Sequence, residues 1–249
     1  MDILRMNDVG LTYQTPEKET EALRNINFSV TRGEFVAIVG PSGCGKTTIL
    51  SLISGLIAPS KGKVFIEGKE LSGVSEKIGY MLQKDQLFEW RTVKENITLG
   101  LEIKRIKTAQ NIDYAISLIE KYGLKDFLNH YPHQLSGGMR QRVALIRTLA
   151  FRPEILLLDE AFSALDFQTR INVCDDVFSI IKKENKTAVL VTHDISEAVS
   201  LADKIIVLTK RPATVKHIYD IKINKPTPFQ KREDLDFSKW FNIVWRDVV

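Results

Sequence analysis

Long apolar runs and cysteines are both scarce in this sequence of 249 residues. No stretch approaches the roughly 20 consecutive apolar residues that a membrane-spanning helix requires, and residues 1–5 lack the apolar block of a secretory signal. The two cysteines, Cys44 and Cys174, fit neither a disulfide framework nor a paired metal-ligand spacing. We therefore expect a globular protein of the reducing cytoplasm that reaches a membrane only from one side of the bilayer.

The sequence also lacks a strong excess of charge of one sign. Its 35 basic residues are set against 31 acidic residues scattered through the chain, which gives a formal net charge of +4. Short basic clusters at 104–105 and 182–183 are more typical of solvated helix faces than of a nucleic-acid footprint. No internal repeat or low-complexity tract appears. We expect no nucleic-acid partner.

Apolar runs without alternation predict the strands of a mostly parallel sheet. Such runs suit strands that are covered on both faces, because every side chain then points into the protein. Shorter β segments occur at 28–30 and 64–66, and apolar residues at helical spacing predict helices within 112–119 and 139–150. The chain is therefore expected to have an α/β core with a helical insertion at about 85–150. The unalternated runs are Phe35–Val39, Ile155–Leu158, Ala188–Val191 and Ile205–Leu208.

A glycine-rich loop follows the first of these runs and precedes a helical pattern at 48–56. It matches the phosphate-loop pattern G-x-x-x-x-G-K-[ST], for which a chance match has a probability on the order of one in a hundred. Glycines let successive N–H groups point inward at an anion, the lysine reaches the terminal phosphates and the threonine hydroxyl binds Mg²⁺. The predicted nucleotide contacts are Gly40, Pro41, Ser42, Gly43, Cys44, Gly45, Lys46, Thr47 and Thr48.

Two acids end the run that begins at Ile155. Asp159 and Glu160 would lie at the carboxyl edge of the sheet, where folds of this kind bind ligands. Asp159 is expected to hold Mg²⁺ through water, and Glu160 is the candidate base that orients an attacking water. Alone, such a strand end would more often carry only solvated acids. Beside the phosphate loop, the hydrolytic interpretation is favoured.

A second glycine-rich turn, at 135–142, resembles the signature motif of the ABC ATPases. It would open a helix and form a second anion site, although one nucleotide needs only one phosphate loop. The resemblance implies a head-to-tail homodimer in which this turn closes over ATP held by the partner chain. Met139 stands where the commonest signature has Gln, which removes a side-chain hydrogen bond but keeps the backbone donors. The residues implied to contact the partner's ATP are Ser136, Gly137, Gly138 and Met139.

The resemblance extends over nearly the whole chain. It implies that Tyr13 stacks on adenine, with a strand aromatic in the core as the alternative. Gln83 resembles the Q-loop glutamine that links Mg²⁺ and water to the helical part, Asp166 the D-loop aspartate, and His193 the switch histidine at the γ-phosphate. The implied catalytic residues are Glu160, His193, Gln83 and Lys46, and the implied metal site consists of Thr47, Gln83 and Asp159.

The fold implied by the resemblance is α/β. It has a P-loop NTPase core with a mostly parallel sheet, an antiparallel β subdomain near the N-terminus and an inserted α-helical subdomain. We expect a single ABC ATPase domain over 1–249. Within it, the nucleotide-binding core would occupy about 1–84 and 151–215, the helical signature subdomain about 85–150 and a C-terminal tail about 216–249.

The implied function is the ATP-binding and ATP-hydrolysing subunit of a transporter at the cytoplasmic face of the cell membrane. The signature with Met139 is similar to that of importers for nitrate, sulfonates and taurine, whereas residues 87–93 fit that group less closely. The implied partners are a second copy, integral membrane permease subunits and an extracytoplasmic substrate-binding protein. The alternatives are an exporter subunit, a non-transport ABC ATPase and a nucleotide-binding module without hydrolysis, the last disfavoured by the complete catalytic set.

Several side chains outside these motifs have more than one interpretation. Trp90 would be an anchor for the permease or a core residue. Asp194 and Glu197 suit a capping box, and a bulky adduct on Cys44 should obstruct nucleotide. An aromatic stripe in the tail predicts a helix that packs on its own domain, with docking on a membrane surface as the alternative. The stripe consists of Phe237, Trp240, Phe241, Val244 and Trp245.

Overall fold

The computed structural model describes residues 2–248, which form ten strands, eight α-helices and two short 3₁₀ turns. The strands are β1 (Asp2–Gln14), β2 (Glu19–Thr31), β3 (Phe35–Val39), β4 (Lys61–Ile66), β5 (Lys69–Glu70), β6 (Ile78–Met81), β7 (Ile155–Asp159), β8 (Thr187–Val191), β9 (Lys204–Leu208) and β10 (Val215–Asp220). The helices are α1 (Lys46–Ser54), α2 (Val93–Ile103), α3 (Ala109–Lys121), α4 (Gly137–Leu149), α5 (Phe167–Lys183), α6 (Ile195–Leu201), α7 (Pro228–Arg232) and α8 (Leu235–Val248). The 3₁₀ turns are Lys125–Phe127 and Pro132–Gln134.

A six-stranded sheet forms the centre of the molecule, in the order β10-β9-β3-β8-β7-β6. Its strands pair in parallel except for β10, which runs antiparallel to β9 at one edge. Every residue of β3, β7 and β8 is buried, which explains the unalternated apolar runs in the sequence. The carboxyl ends of these three strands therefore meet at one edge of the sheet, next to the start of α1.

A second sheet is antiparallel, in the order β2-β1-β4-β5, and packs through its apolar face against α1. Its first two strands are 13 residues each and alternate buried and exposed positions in part, as expected for a sheet with one face in the core. The expected α/β fold with an antiparallel N-terminal sheet is confirmed.

A helical region lies between β6 and β7. The capping box of α2 is complete, because Thr92 accepts a hydrogen bond from the N–H of Glu95 and the Glu95 carboxylate accepts from the N–H of Thr92. The predicted helices at 112–119 and 139–150 lie within α3 and α4 to within one residue. Their apolar faces join the central sheet in one hydrophobic core, so α4 carries the second glycine turn directly on the core.

The C-terminal helices pack against their own chain. In α8, Val244 is fully buried, and Phe237, Trp240 and Phe241 lie against the core that contains α6 and β9. Trp245 stacks on Phe241 and stays half exposed. Packing on the protein itself is therefore the role of the aromatic stripe. Between residues 2 and 248, every helix is too short or too polar to cross a bilayer.

Candidate active site

The phosphate loop connects the end of β3 to the first residue of α1. Gly45 caps α1 with a φ of 115°, and a Cβ at this position would approach Leu23 Cδ2 to 2.9 Å. Gly43 also has a positive φ, of 71°. Both positions favour glycine because other residues rarely adopt this backbone conformation, and at Gly45 the antiparallel sheet also leaves no room for a side chain. The loop can therefore curl around an anion at the N-terminus of α1.

Lys46 fills the centre of this loop. Its side chain is only 7% exposed, and Nζ donates hydrogen bonds to the carbonyl oxygens of Gly40 at 2.9 Å and Pro41 at 3.1 Å. A buried ammonium that is held only by neutral carbonyls is a strong site for an anionic ligand, because a phosphate oxygen offers a charge-assisted bond in place of a neutral one.

Cys44 points away from this centre into the protein. The residue is 1% exposed, and burial raises the pKa of its thiol. Both effects oppose reaction, because the thiolate is the reactive species and a reagent must reach it. The sequence predicts that an adduct at Cys44 would obstruct the loop, but burial of the thiol protects it from acquiring one.

Oxygen atoms from three elements meet beside the loop. The Thr47 hydroxyl donates to Asp159 Oδ1 at 3.1 Å, and the Tyr80 hydroxyl donates to Asp159 Oδ2 at 3.1 Å. Burial raises the pKa of Asp159 and also that of Tyr80, for which the neighbouring carboxylate adds to the effect. A partly buried carboxylate next to a hydroxyl is the kind of oxygen-donor set that Mg²⁺ prefers, so the pair fits a magnesium ion.

The residue after Asp159 is the centre of a second cluster. Glu160 Oε2 lies 3.3 Å from His193 Nδ1 and accepts a hydrogen bond from Gln83 Nε2 at 3.2 Å. Three strands position these groups, since Gln83 follows β6, Glu160 follows β7 and His193 follows β8. The structure thus brings together three of the four implied catalytic residues.

The backbone of Glu160 has a φ of 46°, which L-residues rarely adopt and which costs about 1–2 kcal/mol. Local hydrogen bonds hold it there. The Glu160 N–H donates to the carbonyl of Val191 at 2.8 Å, and its own carbonyl accepts from the Ser163 hydroxyl at 2.9 Å. This turn aims the carboxylate at His193 rather than continuing the direction of β7.

The segment 163–166 continues from this turn into α5. Gln83 Nε2 also lies within hydrogen-bond distance of Ser163 Oγ, at 3.3 Å. Asp166 is the N-cap of α5, and its carboxylate accepts from the N–H of Thr169 at 3.0 Å. The local role of Asp166 is therefore to start a helix, while its position keeps it at the surface.

Asp194 starts α6 directly after His193. Its Oδ1 accepts hydrogen bonds from the N–H groups of Ser196 at 2.8 Å and Glu197 at 3.1 Å. The expected capping box is wrong in its second half, because Glu197 Oε2 accepts from the Thr192 hydroxyl at 2.7 Å and not from the backbone N–H of Asp194. Glu197 is 2% exposed, and burial raises its pKa to about 7.

The glycine turn at 136–138 opens α4. Ser136 caps the helix and accepts from the N–H of Met139 at 3.3 Å. A Cβ at Gly138 would approach Val173 Cγ2 to 2.9 Å, so the turn packs closely on α5. Ser136 and Gly137 are exposed, which leaves the N-terminus of this 13-residue helix open at the surface. Met139 is half buried against the core.

Tyr13 lies at the rim of the phosphate loop. Its ring is 44% exposed, and its hydroxyl is 3.3 Å from the Thr48 hydroxyl in α1. The alternative of a core aromatic is therefore excluded. An exposed aromatic face next to the loop can stack on a flat ligand group such as a base.

Four residues of the site make contacts that the sequence motifs do not predict. The first, Tyr80, holds Asp159, and Ser163 holds the Glu160 turn. Arg211, in the loop after β9, donates to the carbonyl of Gly43 at 2.8 Å, and Arg170 lies between the 163–166 segment and Asp194. Apart from the short-range bonds of Ser163 to Glu160 and of Arg170 to Leu165, these residues and their partners lie 24 to 168 residues apart in the chain. Only the folded chain therefore reveals the contacts. A weak signal existed for Arg211, because it follows a strand of the parallel sheet at the ligand-binding edge.

The fold and this cluster of groups define a P-loop ATPase, with a phosphate loop, an oxygen-donor pair and a carboxylate near a histidine in one edge of a parallel sheet. The family model described as ABC transporter matches residues 23–163, and the chain belongs to this family as an ATP-binding ATPase subunit. The expected family and enzyme class are confirmed.

Relatives of known name agree with this assignment. The chain is 46% identical to the uncharacterized ABC transporter ATP-binding protein YtlC of Bacillus subtilis, over 100% of this chain and 96% of YtlC. It is 38% identical to the taurine import ATP-binding protein TauB of Pelagibacter ubique, over 88% of this chain and 83% of TauB.

A solved structure with 33% identity superposes with a TM-score of 0.72, covering 88% of this chain and 99% of the other. It is the dimeric ATP-binding cassette MJ0796 in a post-hydrolysis state bound to ADP and Pi.

Proposed function

We propose that this ATPase energises the uptake of a small solute of the nitrate, sulfonate and taurine class through a separate membrane permease. The observation that carries the mechanism is the convergence of Gln83, Glu160 and His193 at one sheet edge, within 3.3 Å of one another through Glu160 Oε2. Three groups that meet at the ligand-binding edge of the sheet can act together on one bound ligand.

ATP binds with its phosphates in the loop at 40–47. The backbone N–H groups of the loop and the dipole of α1 attract the phosphates, and Lys46 exchanges its carbonyl partners for phosphate oxygens. Thr47 and Asp159 would hold Mg²⁺, with Gln83 as the third ligand that the sequence predicts, and the ion would neutralise charge that develops on the phosphates. Tyr13 stacks on the adenine from the exposed rim.

Hydrolysis needs a water placed in line with the γ-phosphate. Glu160 orients this water and accepts its proton, and His193 donates a hydrogen bond toward the γ-phosphate while it holds the Glu160 carboxylate. Gln83 contacts the same carboxylate from the side of the helical region. Water placement therefore depends on the position of the helical region as well as on the core.

A second copy completes the site. The open N-terminus of α4, with Ser136 and Gly137 exposed, closes over the γ-phosphate in the partner's loop, and Gly138 and Met139 support that turn. ATP drives the motion because it binds the closed pair more tightly than the open one. The dimeric state of the MJ0796 cassette supports this arrangement.

The surface after Gln83 receives the permease. Trp90 is 73% exposed and stacks on Phe88 with ring centroids 4.7 Å apart, which makes it a rigid aromatic anchor rather than a core residue. Arg140 of α4 bonds Asp85 at 2.7 Å, so this surface moves with the glycine turn. The complex would lie at the cytoplasmic face of the membrane.

The taurine-import relative supports the direction and the solute class, as does the signature with Met139. The test is transport by the reconstituted system. The chain and the permease encoded beside it are placed in vesicles with the neighbouring binding protein, and ATP-driven uptake of taurine, an alkanesulfonate and nitrate is compared with that of a neutral amino acid. Uptake of taurine, the alkanesulfonate or nitrate supports the proposal. Export, or uptake of the neutral amino acid alone, contradicts it.

A further inference from the structure

Arg170, in the first turn of α5, connects the segments 163–166 and 192–197. Its Nη2 donates to the carbonyl of Leu165 at 2.9 Å, and its Nη1 lies 3.3 Å from Asp194 Oδ2. Its Nε is 3.9 Å from Glu197 Oε1 and has no hydrogen-bond partner among the described residues. One guanidinium therefore bridges two loops that each end at a residue of the hydrolytic cluster.

The segment on one side begins at Glu160. The Glu160 carbonyl accepts from both the hydroxyl and the N–H of Ser163, and the N–H of Leu165 donates to Phe162 at 3.2 Å. This chain of bonds leads from the candidate base to Leu165, and Arg170 holds its far end. A displacement of the 163–166 segment would therefore change the position of both Glu160 and Arg170.

The segment on the other side surrounds His193. Asp194 uses Oδ1 to cap α6 and Oδ2 to bind Arg170, and its N–H donates to the Thr192 hydroxyl at 3.0 Å. Thr192 in turn donates to Glu197. The backbone on both sides of His193 is therefore held in place, and the Asp194 carboxylate links this segment to α5 through Arg170.

These bonds close a ring that starts and ends at the active site. It runs from Glu160 through the 163–165 segment to Arg170, then through Asp194 to His193, whose Nδ1 returns to Glu160 Oε2. We propose that Arg170 is a positioning residue that holds His193 in alignment with Glu160 only while the 163–166 segment is seated. The inference rests on the proposed role of His193 in hydrolysis.

The segment at 163–166 is also a surface feature, because Ala164 and Asp166 are exposed. In the proposed dimer the partner's arrival changes the surroundings of this surface. If the Leu165 carbonyl moves away from Nη2, the guanidinium can move too and no longer restrains Asp194. Arg170 therefore makes the alignment of His193 sensitive to the second copy.

The test is a double-mutant cycle on the full-length chain, with Arg170→Gln, His193→Ala and the pair. Steady-state ATPase activity gives kcat and KM, and fluorescence of a labelled nucleotide gives its affinity. We expect Arg170→Gln to lower kcat about tenfold with KM and nucleotide affinity within about twofold. In the His193→Ala background the same change should have an effect of less than about twofold, because the group on which Arg170 acts is gone.

Two further variants separate positioning from folding. Arg170→Lys should recover part of kcat because it keeps the positive charge. The recovery should be incomplete, because a single nitrogen cannot bridge both segments. Lys182→Gln removes the ion pair with Asp203 at the other end of α5 and should change neither kcat nor KM. If Arg170→Gln and Arg170→Lys are equally impaired, or if the effects of Arg170→Gln and His193→Ala multiply, the inference is wrong. If His193→Ala alone keeps full activity, the proposed role of His193 fails first, and the Arg170 link fails with it.

Discussion

Replacing Glu160 by glutamine separates ATP binding from hydrolysis. The glutamine amide has the size of the carboxylate, and its oxygen can still accept the hydrogen bond from Gln83 Nε2, now 3.2 Å from Glu160 Oε2. The variant loses the ability to accept a proton from water and the charge opposite His193. The positive φ of Glu160 is unaffected, because both residues have the same backbone requirements.

The expected loss can be bounded from these contacts. A positioned general base contributes about 10²–10⁴-fold, and the retained hydrogen bond places the loss in the lower part, about 10²–10³-fold in kcat. That loss corresponds to about 3–4 kcal/mol in the activation barrier. Nucleotide affinity should stay within about threefold, because the loop and Lys46 are untouched.

The assay is phosphate release under single-turnover conditions, with ATP binding measured separately. A matched control is Glu154→Gln, the same change at the opposite end of β7, where Glu154 forms an exposed ion pair with Arg32. The control should hydrolyse ATP at the rate of the unmodified protein. Hydrolysis by Glu160→Gln within about threefold of that rate would show that another group activates the water.

Two other substitutions test separate parts of the account. Trp90→Ala should leave the basal ATPase rate unchanged and the unfolding free energy within about 0.5 kcal/mol of the unmodified value, because the side chain is exposed. The same variant should abolish ATP-driven uptake in the reconstituted system. Unchanged uptake would contradict the proposed permease surface. Burial raises the pKa of Glu197 to about 7, above its ordinary value of 4.5. Between these two values the folded chain binds a proton that the unfolded chain does not. The unfolding free energy should therefore fall as pH rises through that window, by at most about 3 kcal/mol. Glu197→Gln should flatten this dependence in urea unfolding at pH 5 and pH 8, and an equal slope in both proteins would refute the assignment.

The strands of the core follow closely from sequence, because burial on both faces imposes an apolar residue at each position. Phe35–Val39 is predicted with the bounds that the structure has. The edge strands β6 and β10 are not found, since β6 has four residues including Gly79 and β10 is largely polar and exposed. Both depend for their conformation on pairing with a neighbouring strand, and that pairing cannot be read from the local sequence.

Motif residues are predicted well in type and less well in contact. The capping-box pattern of Asp194 and Glu197 shows the limit: the spacing is correct, yet the buried Thr192 hydroxyl attracts the Glu197 carboxylate away from the helix end. Arg170 carries no motif by itself. Its two partners are found only in the folded chain, where α5 passes between the 163–166 segment and Asp194, which lies 24 residues after Arg170.

In the proposed dimer, ATP is held between the phosphate loop of one copy and the glycine turn of another. Light scattering of the Glu160→Gln protein with Mg-ATP measures it most directly, with Glu160→Gln/Ser136→Glu as the comparison, because a carboxylate at 136 would face the γ-phosphate and repel it. We predict that the single variant doubles in mass with two ATP per pair, while the double variant binds ATP and stays a monomer. A double variant that pairs as strongly, or a single variant that never pairs in saturating ATP, would contradict it.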